Sequence, residues 1–71
     1  MTQFSLFDCR GDEIATEVLV KARSPEEAAL LGLGENLTRG GHHRNLVCRV
    51  YWDDGAGKRN MVRLYSRSIP R

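Results

Sequence analysis

Two adjacent histidines, His42 and His43, and two cysteines, Cys9 and Cys48, could in principle hold a metal ion. Imidazole and thiolate suit zinc, but zinc sites draw their ligands as spaced pairs, and neighbouring histidines beside paired glycines lack that spacing. The cysteines form no Cys-x-x-Cys pair, so neither zinc binding nor dithiol redox chemistry is signalled. Asp53-Asp54 could act as a general acid and base; a turn that needs polar residues accounts for them equally. Gly55-Ala56-Gly57-Lys58 ends like a phosphate-binding loop. It lacks the earlier glycine and carries Arg59 where Ser or Thr would ligate magnesium, so it reads as a hairpin turn. No serine or cysteine stands in a signature with a histidine and an orienting acid. The chain is therefore expected to be no enzyme, with no cofactor and no metal.

Arginine and tyrosine make a stronger pattern. Leu46, Cys48, Val50 and Trp52 alternate with Val47, Arg49, Tyr51 and Asp53, and Val62 and Leu64 alternate with Met61, Arg63, Tyr65 and Arg67. Side chains of a strand alternate faces, so one face of this hairpin is apolar and the other gathers Arg49, Tyr51, Arg63, Tyr65 and Arg67. A one-residue bulge would scramble the assignment. Arg39, Arg44, Lys58 and Arg59 in the flanking loops extend the basic area. Guanidinium groups neutralise phosphates and exposed rings stack bases. Tyr, Trp and Arg are also the types enriched at protein-binding hot spots, and cross-strand Tyr and Arg pairs stabilise ordinary solvated sheets. Protein recognition ranks first, nucleic-acid contact second and a solvated face third.

The elements that must position this face are legible from periodicity and punctuation. Phe4 and Leu6 alternate with Gln3 and Ser5 as a strand, Gly11 marks a turn, and Ile14, Thr16, Val18 and Val20 alternate with Ala15, Glu17, Leu19 and Lys21 as a second strand. Ser24-Pro25-Glu26-Glu27 opens a helix: Ser24 caps it, Pro25 takes its first position, and Glu27 bonds back to the Ser24 N–H. Ala29, Leu30, Leu33 and Leu37 form its expected core face. Gly32 and Gly34 weaken it, so the helix ends near them or continues to Asn36 with small residues that permit close approach to the sheet. Thr38 to Asn45 reads as a loop, Leu46 to Trp52 and Arg59 to Arg67 as strands, and Ile69-Pro70-Arg71 as a frayed tail. Strand, strand, helix, strand, strand gives an α+β fold: a four-stranded antiparallel sheet with one helix packed on one face.

Composition bounds the answer. The 71 residues form one domain spanning 1–71, 41% apolar and 28% charged. A chain this short buries only about 60% of its unfolded surface, and a catalytic pocket of ~300 Å³ is hard to enclose in it. No apolar run approaches the roughly 18 residues of a membrane span. Met1-Thr2-Gln3-Phe4 lacks the start of a signal peptide. A cytoplasmic, reducing compartment is expected, with Cys9 and Cys48 free rather than bridged. The integrin tripeptide Arg10-Gly11-Asp12 and the glycosylation acceptor Asn36-Leu37-Thr38 both presuppose secretion. The net charge of +2 hides an asymmetry: residues 1–38 carry −4 and residues 39–71 carry +6. Such a split points to a polyanionic partner.

The hairpin around Arg10-Gly11-Asp12, the Ser24-Pro25-Glu26-Glu27 helix start and the basic hairpin ending in Arg63-Leu64-Tyr65 together resemble the layout of small phage and mobile-element accessory proteins, including anti-CRISPR proteins. The resemblance is one of architecture and transfers no individual residue. It implies an inhibitor that occludes a host protein or a nucleoprotein complex stoichiometrically. Many such inhibitors mimic DNA with acidic surfaces, whereas this chain is basic in its second half. The leading expectation is a non-enzymatic binding protein of that inhibitor type, with no membrane partner. Direct binding of DNA or RNA by the same face is the second reading, and a subunit whose site forms only in an oligomer the third.

Overall fold

The computed structural model describes residues 1–10 and 17–67. Strands β1 (Thr2–Asp8) and β2 (Glu17–Ala22) precede helix α1 (Pro25–Leu33), and β3 (Leu37–Thr38), β4 (Leu46–Asp53) and β5 (Arg59–Ser66) follow it. All strand pairs are antiparallel. Among the described residues the sheet has five strands in the order β2-β1-β4-β5-β3, with α1 on one face. The α+β class and both hairpins match the sequence reading; the four-strand count does not. The turn at Gly11, the strand positions Ile14 to Thr16 and the tail Ile69-Pro70-Arg71 lie outside the described residues.

The fifth strand is β3, placed by the sequence reading at the helix end and the following loop. It is two residues long and pairs Leu37 with Ser66 and Thr38 with Tyr65. So short a segment has no period to detect. Leu37 does enter the core, at 1% exposure, but from the sheet edge rather than from the helix. The helix has already ended: Gly34 takes φ 71°, ψ 22°, and its N–H bonds the Leu30 carbonyl at 3.1 Å. Glycine is the residue that adopts this left-handed cap without a Cβ penalty.

At the other end, Ser24 is extended and its Oγ accepts from the Glu27 N–H at 3.1 Å. Glu27 Oε1 accepts from the Arg23 N–H at 2.7 Å, one residue before the expected Ser24 partner. The cap survives with its return bond shifted.

The face that α1 turns to the sheet also differs from expectation. Pro25, Ala28 and Ala29 are buried, whereas Leu30 is 51% and Leu31 62% exposed. A Cβ on Gly32 would lie 2.6 Å from Leu6 Cδ1 and 2.7 Å from Val20 Cγ2. Pro25, Ala28, Ala29 and Gly32 follow the i, i+3, i+4, i+7 spacing of one helix face. The bulk of the interface comes from the sheet, through Phe4, Leu6, Val18 and Val20. Small residues on the helix admit these side chains, and Leu30 is left outside.

Two polar clamps hold the periphery. Arg10 hydrogen-bonds Asp8 and Glu35, tying the end of β1 to the segment after α1. Arg39 donates from Nε to Glu26 Oε2 at 2.6 Å, tying the chain after β3 to the first turn of α1. The guanidinium of Arg10 holds the Asp8 carboxyl below its usual range, and that of Arg39 does the same for Glu26. Both are depressed folded-state values, so their contribution is present above about pH 5 and is lost as pH falls through them. At these exposures each pair contributes roughly 0–1 kcal/mol.

Gly32→Val is expected to destabilise the fold by roughly 1–3 kcal/mol through overpacking against Leu6 and Val20. Leu30→Ala, on the exposed side, is expected to stay within about 0.5 kcal/mol. Urea midpoints at constant m-value check both. Acid titration of stability is expected to fall below about pH 5, with a shallower fall in the Asp8→Asn plus Glu26→Gln variant; an identical slope in wild type and variant contradicts the clamps.

Candidate binding face of the sheet

The face of the sheet opposite α1 is assembled by cross-strand register. One row reads Glu17, Phe7, Arg49 and Arg63 across β2, β1, β4 and β5. The next reads Leu19, Ser5, Tyr51 and Met61. Beyond it, Gln3 faces Lys21 and Asp53 faces Arg59. The alternation expected in the second hairpin therefore holds from Cys48 to Tyr65. It breaks at one place: Leu46 pairs with Tyr65 and Cys48 with Leu64, so Val47 is an extra residue in β4. This bulge buries Val47, at 2% exposure, beside Cys48 and moves Leu46 from the expected core face to the Tyr65 row. From Cys48 onward the period-two assignment is intact.

Of the expected site residues, Arg49, Tyr51, Arg63 and Tyr65 share this face. Arg59 joins them, its guanidinium carbon 4.9 Å from the centroid of the Tyr51 ring. Tyr65 is held from the side: a Cβ on Gly41 would lie 2.9 Å from the Tyr65 Cβ, so the glycine loop rests on this residue. The remaining three stand apart. Arg67 follows the last residue of β5 and is exposed. Lys58 sits in the hairpin turn, where its N–H donates to Asp54 Oδ1 at 3.0 Å. Arg44 lies in the 3-10 turn His43–Asn45, at the opposite end of β4. Arg39, expected in the basic area, is bound to Glu26 of the helix.

Phe7, Leu19, Lys21 and Met61 belong to the face and were missed as site residues. Next to buried Leu6 in β1, Phe7 points to the face away from the core. What placed it beside Arg49 is the β1–β4 pairing, which joins segments about 40 residues apart and leaves no local signal. Phe7 meets Tyr51 edge to face, with centroids 5.6 Å apart and planes at 85°. Such a pair adds about 0.5–1.5 kcal/mol beyond its buried area and fixes both rings. Phe7, Arg49, Tyr51 and Arg59 bound an open trough of about 330 Å³. Leu19, at 58% exposure, and Met61, at 38%, flank the Ser5–Tyr51 pair on either side.

The charges of the face are unequal. Among the described residues the ion pairs are Arg10 with Asp8 and Glu35, and Arg39 with Glu26. Arg49, Arg59 and Arg63 take part in none of them. Arg49 and Arg63 stand directly opposite each other. Like charges in that position are destabilising, so a bound anion relieves a repulsion built into the free protein.

The other chemistry-bearing residues have local roles. Asp54 Oδ1 accepts from the Ala56 and Lys58 N–H groups, organising the turn, and these bonds lower its pKa. His42 Nδ1 accepts from the Arg44 N–H at 3.2 Å as the cap of the 3-10 turn. Cys9 and Cys48 are free. Burial pushes the Cys48 thiol up to about 11, with a smaller contribution from Cys9. Among the described residues no helix is long and apolar enough to cross a membrane.

Replacing either arginine of the opposed pair by threonine is expected to raise stability by roughly 0.2–1 kcal/mol at low salt. The gain is expected to shrink in high salt as the Debye length shortens, and the Arg49→Thr plus Arg63→Thr gain to be less than the sum of the singles. Denaturant melts at two salt concentrations read this; single variants that lose stability contradict the repulsion.

In comparison with known proteins the chain matches no family, no curated protein and no solved structure.

Proposed function

We propose that this chain is a non-enzymatic binding protein that seats its outer sheet face against an acidic surface of a host protein or nucleoprotein complex, acting as a stoichiometric inhibitor like the phage and mobile-element proteins its layout resembles. The observation that carries this reading is the Arg49–Arg63 pair standing next to the Leu19–Ser5–Tyr51–Met61 row. An apolar stripe with aromatic and arginine anchors and a charged border is the anatomy of a protein interface. Exposed leucine and methionine have no comparable use against phosphates, which favours protein over nucleic acid. Arg49 and Arg63 select for acidic groups, and Arg59, solvent-exposed over the Tyr51 ring, adds a cation–π contact beside them.

Direct nucleic-acid binding is the second reading, favoured by the trough between Phe7, Tyr51 and the two arginines Arg49 and Arg59. An unpaired base could enter it while phosphates meet the guanidinium groups.

The test compares three proteins as bait in host lysate: wild type, Arg49→Glu plus Arg63→Glu, and Leu19→Asp plus Met61→Asp. Wild type is expected to retain one stoichiometric partner that both variants lose at least tenfold. If both variants, still folded by circular dichroism, hold that partner as well as wild type, the face is not the contact surface. In parallel, short single- and double-stranded DNA and RNA are titrated across a salt series. Binding that weakens steeply with salt and disappears in the arginine variant supports the second reading, and no binding at ~50 mM salt eliminates it.

A further inference from the structure

The two sides of β5 are occupied unequally. On one side it pairs with β4 from Arg59 to Tyr65; on the other it pairs with β3 at Tyr65 and Ser66 alone. Among the described residues, Arg59 to Leu64 have no strand on that outer side. An uncovered strand edge presents a row of free N–H and C=O groups and is a template for another strand. The open stretch carries Arg59, Met61 and Arg63 on the basic face and Asn60, Val62 and Leu64 on the helix side.

We infer that the open edge of β5 receives an extended acidic segment of the partner as an additional sheet strand, with acidic side chains on the Arg59–Arg63 face and apolar ones toward Val62. This names the form of the partner at the proposed site and rests on the reading above that the basic face meets an acidic protein.

Charge and spacing select this occupant over a second copy of the chain. Two copies pairing antiparallel about Met61 set each Arg59 opposite the other copy's Arg63, and parallel in-register pairing sets each arginine beside its own counterpart. Both arrangements oppose like charges at contact distance, which is how natural edges are protected from self-association. The same arginines attract carboxylates. Arg59 and Arg63 are four residues apart, about 13 Å along a strand. An added strand that alternates acidic and apolar residues reaches both arginines with carboxylates on one face. Its other face lies over Val62, which is only partly buried, while α1 packs on β1, β2 and β3. Main-chain hydrogen bonds supply affinity and the alternating side chains supply specificity, as in other strand-addition interfaces.

The experiment uses the full chain, a synthetic peptide of alternating Glu and Val, its fully N-methylated counterpart, and oligodeoxythymidylate as a polyanion without a peptide backbone. Amide hydrogen exchange is followed residue by residue at neutral pH. With peptide at about ten times its Kd, amides within Arg59–Leu64 that point outward are expected to exchange about tenfold more slowly. The N-methylated peptide is expected to give no such slowing, and Arg59→Glu plus Arg63→Glu to abolish it. The inference is overturned if the N-methylated peptide or the oligonucleotide protects the same amides equally. It is also overturned if the Glu-Val peptide leaves them unprotected, or if they are already protected in a dimer seen by sedimentation. Failure of strand addition is separable from failure of the face reading. Arg49 stands on β4, away from the edge, so partner capture lost in Arg49→Glu while β5 stays unprotected removes only the added strand. Capture unaffected by Arg49→Glu and by Leu19→Asp plus Met61→Asp removes the face reading itself.

Discussion

The close approach of α1 to the sheet at Gly32 governs how every other element can be placed. The helix leaves β2 at one edge of the sheet and must deliver the chain to β3 at the other. Nine helical residues span about 14 Å, and four strand spacings about 19 Å, so helix and short flanking segments just suffice if the helix lies low across the sheet. Pro25, Ala28, Ala29 and Gly32 make that possible because they add little thickness. Leu6, Val18 and Val20 then fill the space a larger helical side chain would have taken. Leu37 can reach the far edge and close the core there only because Gly34 stops the helix and turns the chain.

With one helix and five strands among the described residues, a single face of the sheet is covered. The side chains of the opposite face, Phe7, Leu19, Tyr51 and Met61 with Lys21, Arg49, Arg59 and Arg63, remain in contact with solvent. Their arrangement follows from the central β1–β4 pair, which brings the two hairpins edge to edge. Without that pair Phe7 would not meet Tyr51, and the trough beside Arg49 and Arg59 would have no wall.

Charge is partitioned by the same topology. Three carboxylates of the acidic first half hold the two clamps: Asp8 and Glu35 on Arg10, and Glu26 on Arg39. Arg49, Arg59 and Arg63 stand on β4 and β5, on the face away from the helix and its glutamates. Among the described residues none of these three arginines forms an ion pair, Asp53 across from Arg59 included, and the net charge of +2 understates the local field.

Local chemistry carried much of this in the chain itself. Period-two alternation marked β1, β2, β4 and β5 and put Arg49, Tyr51, Arg63 and Tyr65 on one side. The Ser24-Pro25-Glu26-Glu27 start marked the helix, since capping depends on residues within one turn of each other. Nonlocal pairing decided the remainder. The two-residue β3, the β1–β4 contact, the outward rotation of Leu30, the bulge at Val47 and the capture of Arg39 by Glu26 each depend on a partner distant in sequence. No periodicity encodes such a partner. Alternation and composition along the chain were enough to mark the residues able to form a basic and aromatic surface. That Phe7 and Leu19 join Met61 on this surface, and that Arg39 leaves it, was settled by nonlocal packing and pairing against each residue.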